Sequence, residues 1–455
     1  MKNILTLVSA VFLIVISILI TGCDKNDNGD PAGNQDNQEL SSSSCEGCHT
    51  NYDVLRTVYT PDPPSTGGGG CGGEAPHYEP YDRVYLSGDG YEDFKNDIHG
   101  QIGCVTCHNG VDHTSDKNLA HSGDFISHPS QDAESKCGNC HPAIFNRAHN
   151  SIHQDGTGQK NMVVSRAGLD SFDQLSELMK EGYNTNCAKC HASCGDCHIN
   201  RPKAGGGGLY NGHKFNKTPN MRDHCTTCHV SRGGHAYYGI APGTVPDVHL
   251  TSAGYTCLGC HNMDELHGDG EKYDQRYKMP LLPKCEDCHT DLADANSYHQ
   301  LHLDTFNCQT CHSQDYNNCG SCHVGSTEGA RIHSHLDFHI GMNPIPETKP
   351  YKYALLRQSL SAPDSWQDYG IAELANFSAA PTYKYTTPHN IQRWTSRTQV
   401  EEGKPCYDAC HIMYEDEVYR NKELYLFTSD LEDWEVAADQ DIVVDGKLPE
   451  SWDVN

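Results

Sequence analysis

The chain is poor in basic and in apolar residues. Its 455 residues include 33 Lys+Arg against 61 Asp+Glu, a formal net charge of −28. That balance excludes a nucleic-acid partner, because phosphate backbones are held by Lys and Arg. Hydrophobic residues make up only 36% and mean hydropathy is −0.66, so side chains alone would build a thin core for this length. The four-glycine run Gly205 to Gly208 lacks a following Lys-Ser/Thr pair, which leaves a flexible loop rather than a phosphate cradle. What abounds instead is cysteine, 24 copies, and histidine, 29 copies. In a reducing cytosol so many thiols would suggest zinc, and in an oxidising compartment disulfides. Spacing decides among the options.

The amino terminus sets the compartment. Lys2 precedes an almost unbroken apolar run from Ile4 to Ile20, the layout of an export signal. Ile20, Thr21, Gly22 and Cys23 resemble a bacterial lipobox, which implies cleavage after residue 22 and lipidation of Cys23. The alternative is an uncleaved anchor, for which the run is near the lower limit of a span. Either way the remainder is exported. Residues 23–44 are mainly Asp, Asn, Gly, Gln and Ser, a composition that cannot fold and that serves as a flexible tether.

Ten Cys-x-x-Cys-His motifs follow. In chain order they are Cys45, Cys48 and His49; Cys104, Cys107 and His108; Cys137, Cys140 and His141; Cys187, Cys190 and His191; and Cys194, Cys197 and His198. The next five are Cys225, Cys228 and His229; Cys257, Cys260 and His261; Cys285, Cys288 and His289; Cys308, Cys311 and His312; and Cys319, Cys322 and His323. An eleventh, Cys406, Cys410 and His411, carries one extra residue between its thiols. The spacing puts both sulfurs on one side of a single helical turn, where they bond the two vinyl groups of a haem, and the adjacent imidazole binds the iron as proximal ligand. Zinc ribbons do not need a histidine after each thiol pair, and disulfides give no role to eleven histidines at one offset. For Cys406 and Cys410 the retained Cys-His pair favours haem, with a Cys406–Cys410 disulfide as the alternative. The expected cofactor is therefore haem c, ten to eleven copies, covalently bound. Cys23 and Cys71 are left over, and Cys71 is an odd thiol within a proline- and glycine-rich insertion that includes Gly67 to Gly70.

Eighteen histidines lie outside the motifs, enough to give each iron a second imidazole. Candidate distal ligands are His99, His113, His149, His153, His213, His235, His249, His267, His302, His335 and His389. His99, His249 and His302 each stand shortly before a motif, too close to reach over its own haem, and are expected to cap a neighbour. Two imidazoles make a low-spin iron with no open position, suited to electron transfer rather than substrate activation.

The expected fold is mostly coil with short α-helices and little β, a multihaem cytochrome c fold organised around a covalent haem chain in which cofactors replace the missing core. Residues 45–411 form the haem domain, and 412–455 form an acidic tail packing on it. The fourth and fifth motifs start seven residues apart and the ninth and tenth eleven apart, spacings expected to bring macrocycles into contact.

The repeated motif set resembles bacterial multihaem c-type cytochromes over residues 45–411. Within it, Asn211-Gly212-His213-Lys214-Phe215, Cys225 to His229 with Ser231-Arg232, His249, and Leu266-His267-Gly268 are similar to the octahaem tetrathionate reductase and hydroxylamine oxidoreductase type. The resemblance implies a shared haem-packing pattern. It departs from that type in having no Cys-x-x-Cys-Lys site, and the irregular Cys406–His411 motif is the first place to expect an unusual iron. The expectation is a lipid-anchored electron carrier of the cell envelope and outer membrane. Its partners would be other redox proteins (cytochromes, a quinol-oxidising complex or an outer-membrane conduit) or an external acceptor. The alternatives are a reductase of a small nitrogen or sulfur oxyanion and a subunit of a cytochrome filament.

Overall fold

Each motif needs only one helical turn, and one turn is what most of them form. Cys45–His49, Cys104–His108, Cys194–His198 and Cys308–His312 are five-residue α-helices, whereas Cys257–Gly259, Cys285–Asp287 and Cys406–Ala409 are 3-10 turns. So short a helix is marginal unless its end groups find partners. Ser44 supplies one, its Oγ accepting from the Gly47 N–H at 2.9 Å. Asp97 and Asp247 cap Ile98–Gln101 and Val248–Ala253 in the same way. The structure, a computed structural model, describes residues 43–63, 77–240, 243–316, 338–358, 364 and 366–452. The lipobox Cys23, the tether and Cys71 lie outside them. So do all three residues of the tenth motif, Cys319, Cys322 and His323, and the candidate ligand His335.

Among the described residues helix and coil dominate over strand, in agreement with the expected short helices and little sheet. Among the described residues the longest helices are Thr157–Ala167 and Glu177–Asn186. They bury Val163, Ala167, Tyr183 and Cys187 against Leu175, Trp366, Leu374 and Phe377. Between motifs the chain doubles back through glycine and asparagine at positive φ. Asn211, Gly212 and His213 form one such run (φ 56°, 59° and 78°), wedged against residues 87–91 where a Cβ on Gly212 would stand 2.3 Å from the Ser87 carbonyl oxygen. Only glycine fits there without strain, and the run delivers the His213 ring to its place.

The strands lie in the carboxy-terminal part. Strands β1 (Phe338–Met342), β2 (Tyr353–Gln358) and β3 (Tyr383–Tyr385) form an antiparallel sheet in that order, registered by Ile340 opposite Leu355 and Leu356 opposite Tyr385. Side chains alternate between faces of a strand, and both faces of β2 are covered. Ala354 and Leu356 pack with Ile345, Leu426, Ile442 and Val443, while Tyr353 packs with Ile340, Tyr425, Phe427 and Val444. Residues 412–452 thus supply much of the sheet's core, and the Leu426 N–H donates to the Ile340 carbonyl at 3.0 Å. A short exposed hairpin, β4 (Met413–Glu415) and β5 (Val418–Arg420), turns through Asp416 and Glu417, both at positive φ. Among the described residues no helix is long and apolar enough to cross a membrane.

Candidate haem sites

Two imidazoles that bind one haem iron from opposite faces have a predictable separation. A metal–nitrogen bond of about 2 Å on each side, plus about 1.1 Å from each nitrogen to its ring centre, puts the centroids roughly 6.2 Å apart. Nine of the described motif histidines face a non-motif histidine at that separation. The pairs are His49–His121 (6.2 Å), His108–His213 (6.2 Å), His141–His99 (6.1 Å), His198–His267 (6.1 Å) and His229–His153 (6.3 Å). The others are His261–His389 (6.0 Å), His289–His249 (6.0 Å), His312–His299 (6.0 Å) and His411–His302 (6.4 Å). Direct ring stacking gives shorter spacings, as where His99 lies on Phe215 at 4.0 Å. The separation in each pair fits an iron held between two ring nitrogens.

In six of these rings the second nitrogen is occupied in a way that frees the first. Nδ1 donates to a backbone carbonyl oxygen in His49 (Val84, 3.1 Å), His108 (Ile126, 2.9 Å), His198 (Asn216, 2.7 Å) and His312 (Gln392, 3.1 Å). On the non-motif side His121 donates to Lys117 and His302 to Tyr298, each at 2.9 Å. A proton fixed on Nδ1 leaves the Nε2 lone pair for a metal. Burial favours the neutral ring as well. It lowers the pKa of His49, His108, His153, His267, His312 and His411, and takes His213 and His389 down to about 4.

Three imidazoles are held by carboxylates instead. His261 Nδ1 lies 2.8 Å and 2.9 Å from the two oxygens of buried Glu265, and His249 Nδ1 lies 2.9 Å from Asp247. His99 bonds Asp97. The recurring Asp-x-His sequence now has a physical reason: one aspartate caps the helix and orients the ring two residues on. A carboxylate on Nδ1 makes the imidazole a stronger donor, which favours ferric iron. With haem attached at the seventh motif, Glu265→Gln is therefore expected to raise its midpoint potential, on the order of 60 mV for a tenfold shift in a one-electron couple. Spectroelectrochemical titration measures it, and an unmoved potential would refute the role.

The three histidines placed just before motifs all face another motif: His99 faces His141, His249 faces His289, and His302 faces His411. His411, the first place to look for an unusual iron, thus has an imidazole opposite. Cys406 and Cys410 are not bonded to each other. Two facing histidines fall outside the expected set. His121 follows the short helix Lys117–Ala120, and His299 shares the helix Ser297–His302 with His302. That helix presents one imidazole to the ninth motif and one to the eleventh, and its His-x-x-His spacing is the available signal. Of the remaining candidates, His113 is exposed beside Asp112, and His149 stacks on Phe145 at 5.6 Å. Neither they nor half-buried His235 face a described motif histidine.

The thiols connect the motifs into a row. Cys137 lies beside Cys194, Cys225 beside Cys257, Cys190 beside Cys228 and Cys285 beside Cys308. Cys45 is within electrostatic reach of Cys104, Cys107 of Cys140, Cys197 of Cys225, Cys260 of Cys288, and Cys311 of Cys410. The order is first, second, third, fifth, sixth, seventh, eighth, ninth and eleventh motif, with the fourth branching from the sixth. The fourth and fifth, nearest in sequence, turn their thiols to different neighbours. This row runs through described residues only, and the tenth expected attachment site, Cys319 and Cys322 with proximal His323, lies outside them. Among the described residues no group of three His, Cys, Asp or Glu side chains is arranged to hold a bare metal ion.

No family model, no curated protein and no solved structure matches this chain.

Proposed function

We propose that the chain is an exported, lipid-anchored multihaem c-type cytochrome that passes electrons through the cell envelope to another redox protein or an external acceptor. The observation that carries the reading is the set of nine imidazole pairs with centroids 6.0–6.4 Å apart, each joining one motif histidine to one other. Haem supplies one-electron chemistry when bound. The chain supplies two thiol anchors and two facing imidazoles at each such site, and for His49, His108, His198 and His312 a backbone carbonyl on Nδ1 that fixes the tautomer. It also sets neighbouring motifs side by side, as a conduit requires. Six-coordinate iron changes oxidation state with little rearrangement, which suits transfer better than catalysis.

Electron paramagnetic resonance on the oxidised protein, with haem quantified per chain by mass, tests the proposal. Eleven haems and a dominant set of low-spin signals are expected, the tenth motif (Cys319, Cys322 and His323) contributing one of them. Thiols free of haem, or zinc in their place, would overturn it.

A further inference from the structure

Imidazoles belonging to three neighbouring sites converge on one short segment, residues 390–392. It runs between residues 246–248 on one side and 312–314 on the other. On the first side the Ile391 N–H donates to Asp247 Oδ2 at 2.6 Å, and the Val248 N–H donates to the Ile391 carbonyl oxygen at 2.9 Å. Gln392 Nε2 adds a bond to the Pro246 carbonyl oxygen at 2.6 Å. On the second side Ile391 pairs antiparallel with Ser313. The Gln392 N–H donates to the His312 carbonyl oxygen at 2.8 Å, and His312 Nδ1 donates back to the Gln392 carbonyl oxygen at 3.1 Å. Asn390 is fully buried, and its Nδ2 donates to the Gln314 carbonyl oxygen at 2.9 Å. A segment bonded along both edges has little freedom to move.

Each part of this arrangement carries a ring. His389, next to the segment, faces His261 of the seventh motif. His249, two residues after Asp247, faces His289 of the eighth. His312 belongs to the ninth and faces His299. Asp247 joins the first two. It is 1% exposed, and its oxygens only accept. Oδ1 takes the His249 N–H at 2.8 Å and His249 Nδ1 at 2.9 Å, while Oδ2 takes the Ile391 N–H. The carboxylate is also within electrostatic reach of His389 and of the Cys260 thiol. Removing it would leave buried donors unsatisfied on both sides, which is costly.

Building on the haem reading above, we propose that Asp247 is a positioning residue shared by two haems. It orients His249 toward the eighth iron directly, and His389 toward the seventh by fixing the backbone at Ile391. Residues 390–392 extend the tie to His312 of the ninth. Ring orientation and the bond on the second nitrogen set the strength of an imidazole ligand, so the potentials of adjacent haems in the row depend on one buried side chain.

The test is spectroelectrochemistry of the holoprotein, with electron paramagnetic resonance of the oxidised form. The seventh and eighth signals are identified as those lost from the variants Cys257→Ser with Cys260→Ser, and Cys285→Ser with Cys288→Ser. Asp247→Ala is expected to keep the haem count and to raise both potentials, each by a roughly tenfold change in the ferric–ferrous balance, about 60 mV. Asp247→Asn separates position from charge. An amide has one acceptor oxygen and satisfies only one side, so the two potentials should move unequally. Equal movement of both in the Asn and Ala variants would show that the buried charge acts alone, and overturns the proposal. Movement of the eighth potential alone in Asp247→Ala overturns it too, since His389 would not depend on the carboxylate. Gln392→Ala changes no charge and serves where the Asp247 variants do not fold. It should shift the seventh potential, His389 lying three residues away, and leave the eighth in place because His249 keeps Asp247. An unmoved seventh potential there also overturns the proposal. Absence of haem from the native seventh and eighth motifs would sink the cytochrome reading itself, whereas haems whose potentials ignore Asp247 sink this inference alone.

Discussion

Made in cells that lack the machinery for attaching haem to paired thiols, the chain is expected to lose its order between residues 45 and 155 first. Among the described residues of that stretch the buried apolar side chains are Leu55, Tyr91, Ala133 and Ala148. At about 2 kcal/mol apiece at most, they give under a tenth of the burial, on the order of 100 kcal/mol, that a domain of ordinary size draws on. The same stretch carries three motifs, and the pairs His49–His121 and His141–His99 hold its loops together only if something fills the gap between the rings. The carboxy-terminal sheet is different. Ile340, Ala354, Leu355, Leu356, Tyr425 and Leu426 are fully buried among one another, and Asp439 ties the sheet down by accepting from the Thr382 and Tyr383 backbone at 3.1 Å. Limited proteolysis of the haem-free chain should therefore cut rapidly before residue 155 and spare a fragment containing 338–452. Circular dichroism should show much of the helical signal lost. A haem-free chain as resistant as the holoprotein throughout would show that the side chains suffice.

How far the sequence can be read follows from where its information lies. Motif histidines are written into a local pattern, so all eleven motifs are legible without a fold. The histidines that face them come from loops far away in the chain, as His213 comes to His108 and His389 to His261. Nothing local marks them, except where a capping aspartate precedes the ring. His121 and His299 carry no such mark, while exposed His113 follows a motif closely and so looks the better candidate by position alone. The sheet is hard to anticipate for a related reason. Strand β2 is buried on both faces, so Tyr353-Ala354-Leu355-Leu356 shows no polar alternation to announce a strand. Among the described residues His191 faces no second histidine, its Nε2 meeting Tyr183 and Gln159 instead, and this is invisible in the sequence because its motif is regular.

Removing the sixth motif with Cys225→Ser and Cys228→Ser should have a larger effect on transfer than removing any terminal one. Its thiols meet three neighbours: Cys197 of the fifth motif, Cys257 of the seventh and Cys190 of the fourth. Losing it divides the row into one segment ending at the fifth motif and another beginning at the seventh, and isolates the fourth. The haem count should fall by one and the signal of the His153–His229 pair should vanish. A small, diffusible reductant should still reduce both segments, since each keeps its own surface. On a protein film attached through one end, however, voltammetry should show only the near segment exchanging electrons with the electrode. The comparison variant, Cys45→Ser with Cys48→Ser, removes the site at one end of the row, beside Cys104 of the second motif, and should shorten the row without dividing it. If both variants transfer electrons from end to end as the native protein does, the motifs do not act as a single row, and the adjacency of their thiols has another purpose.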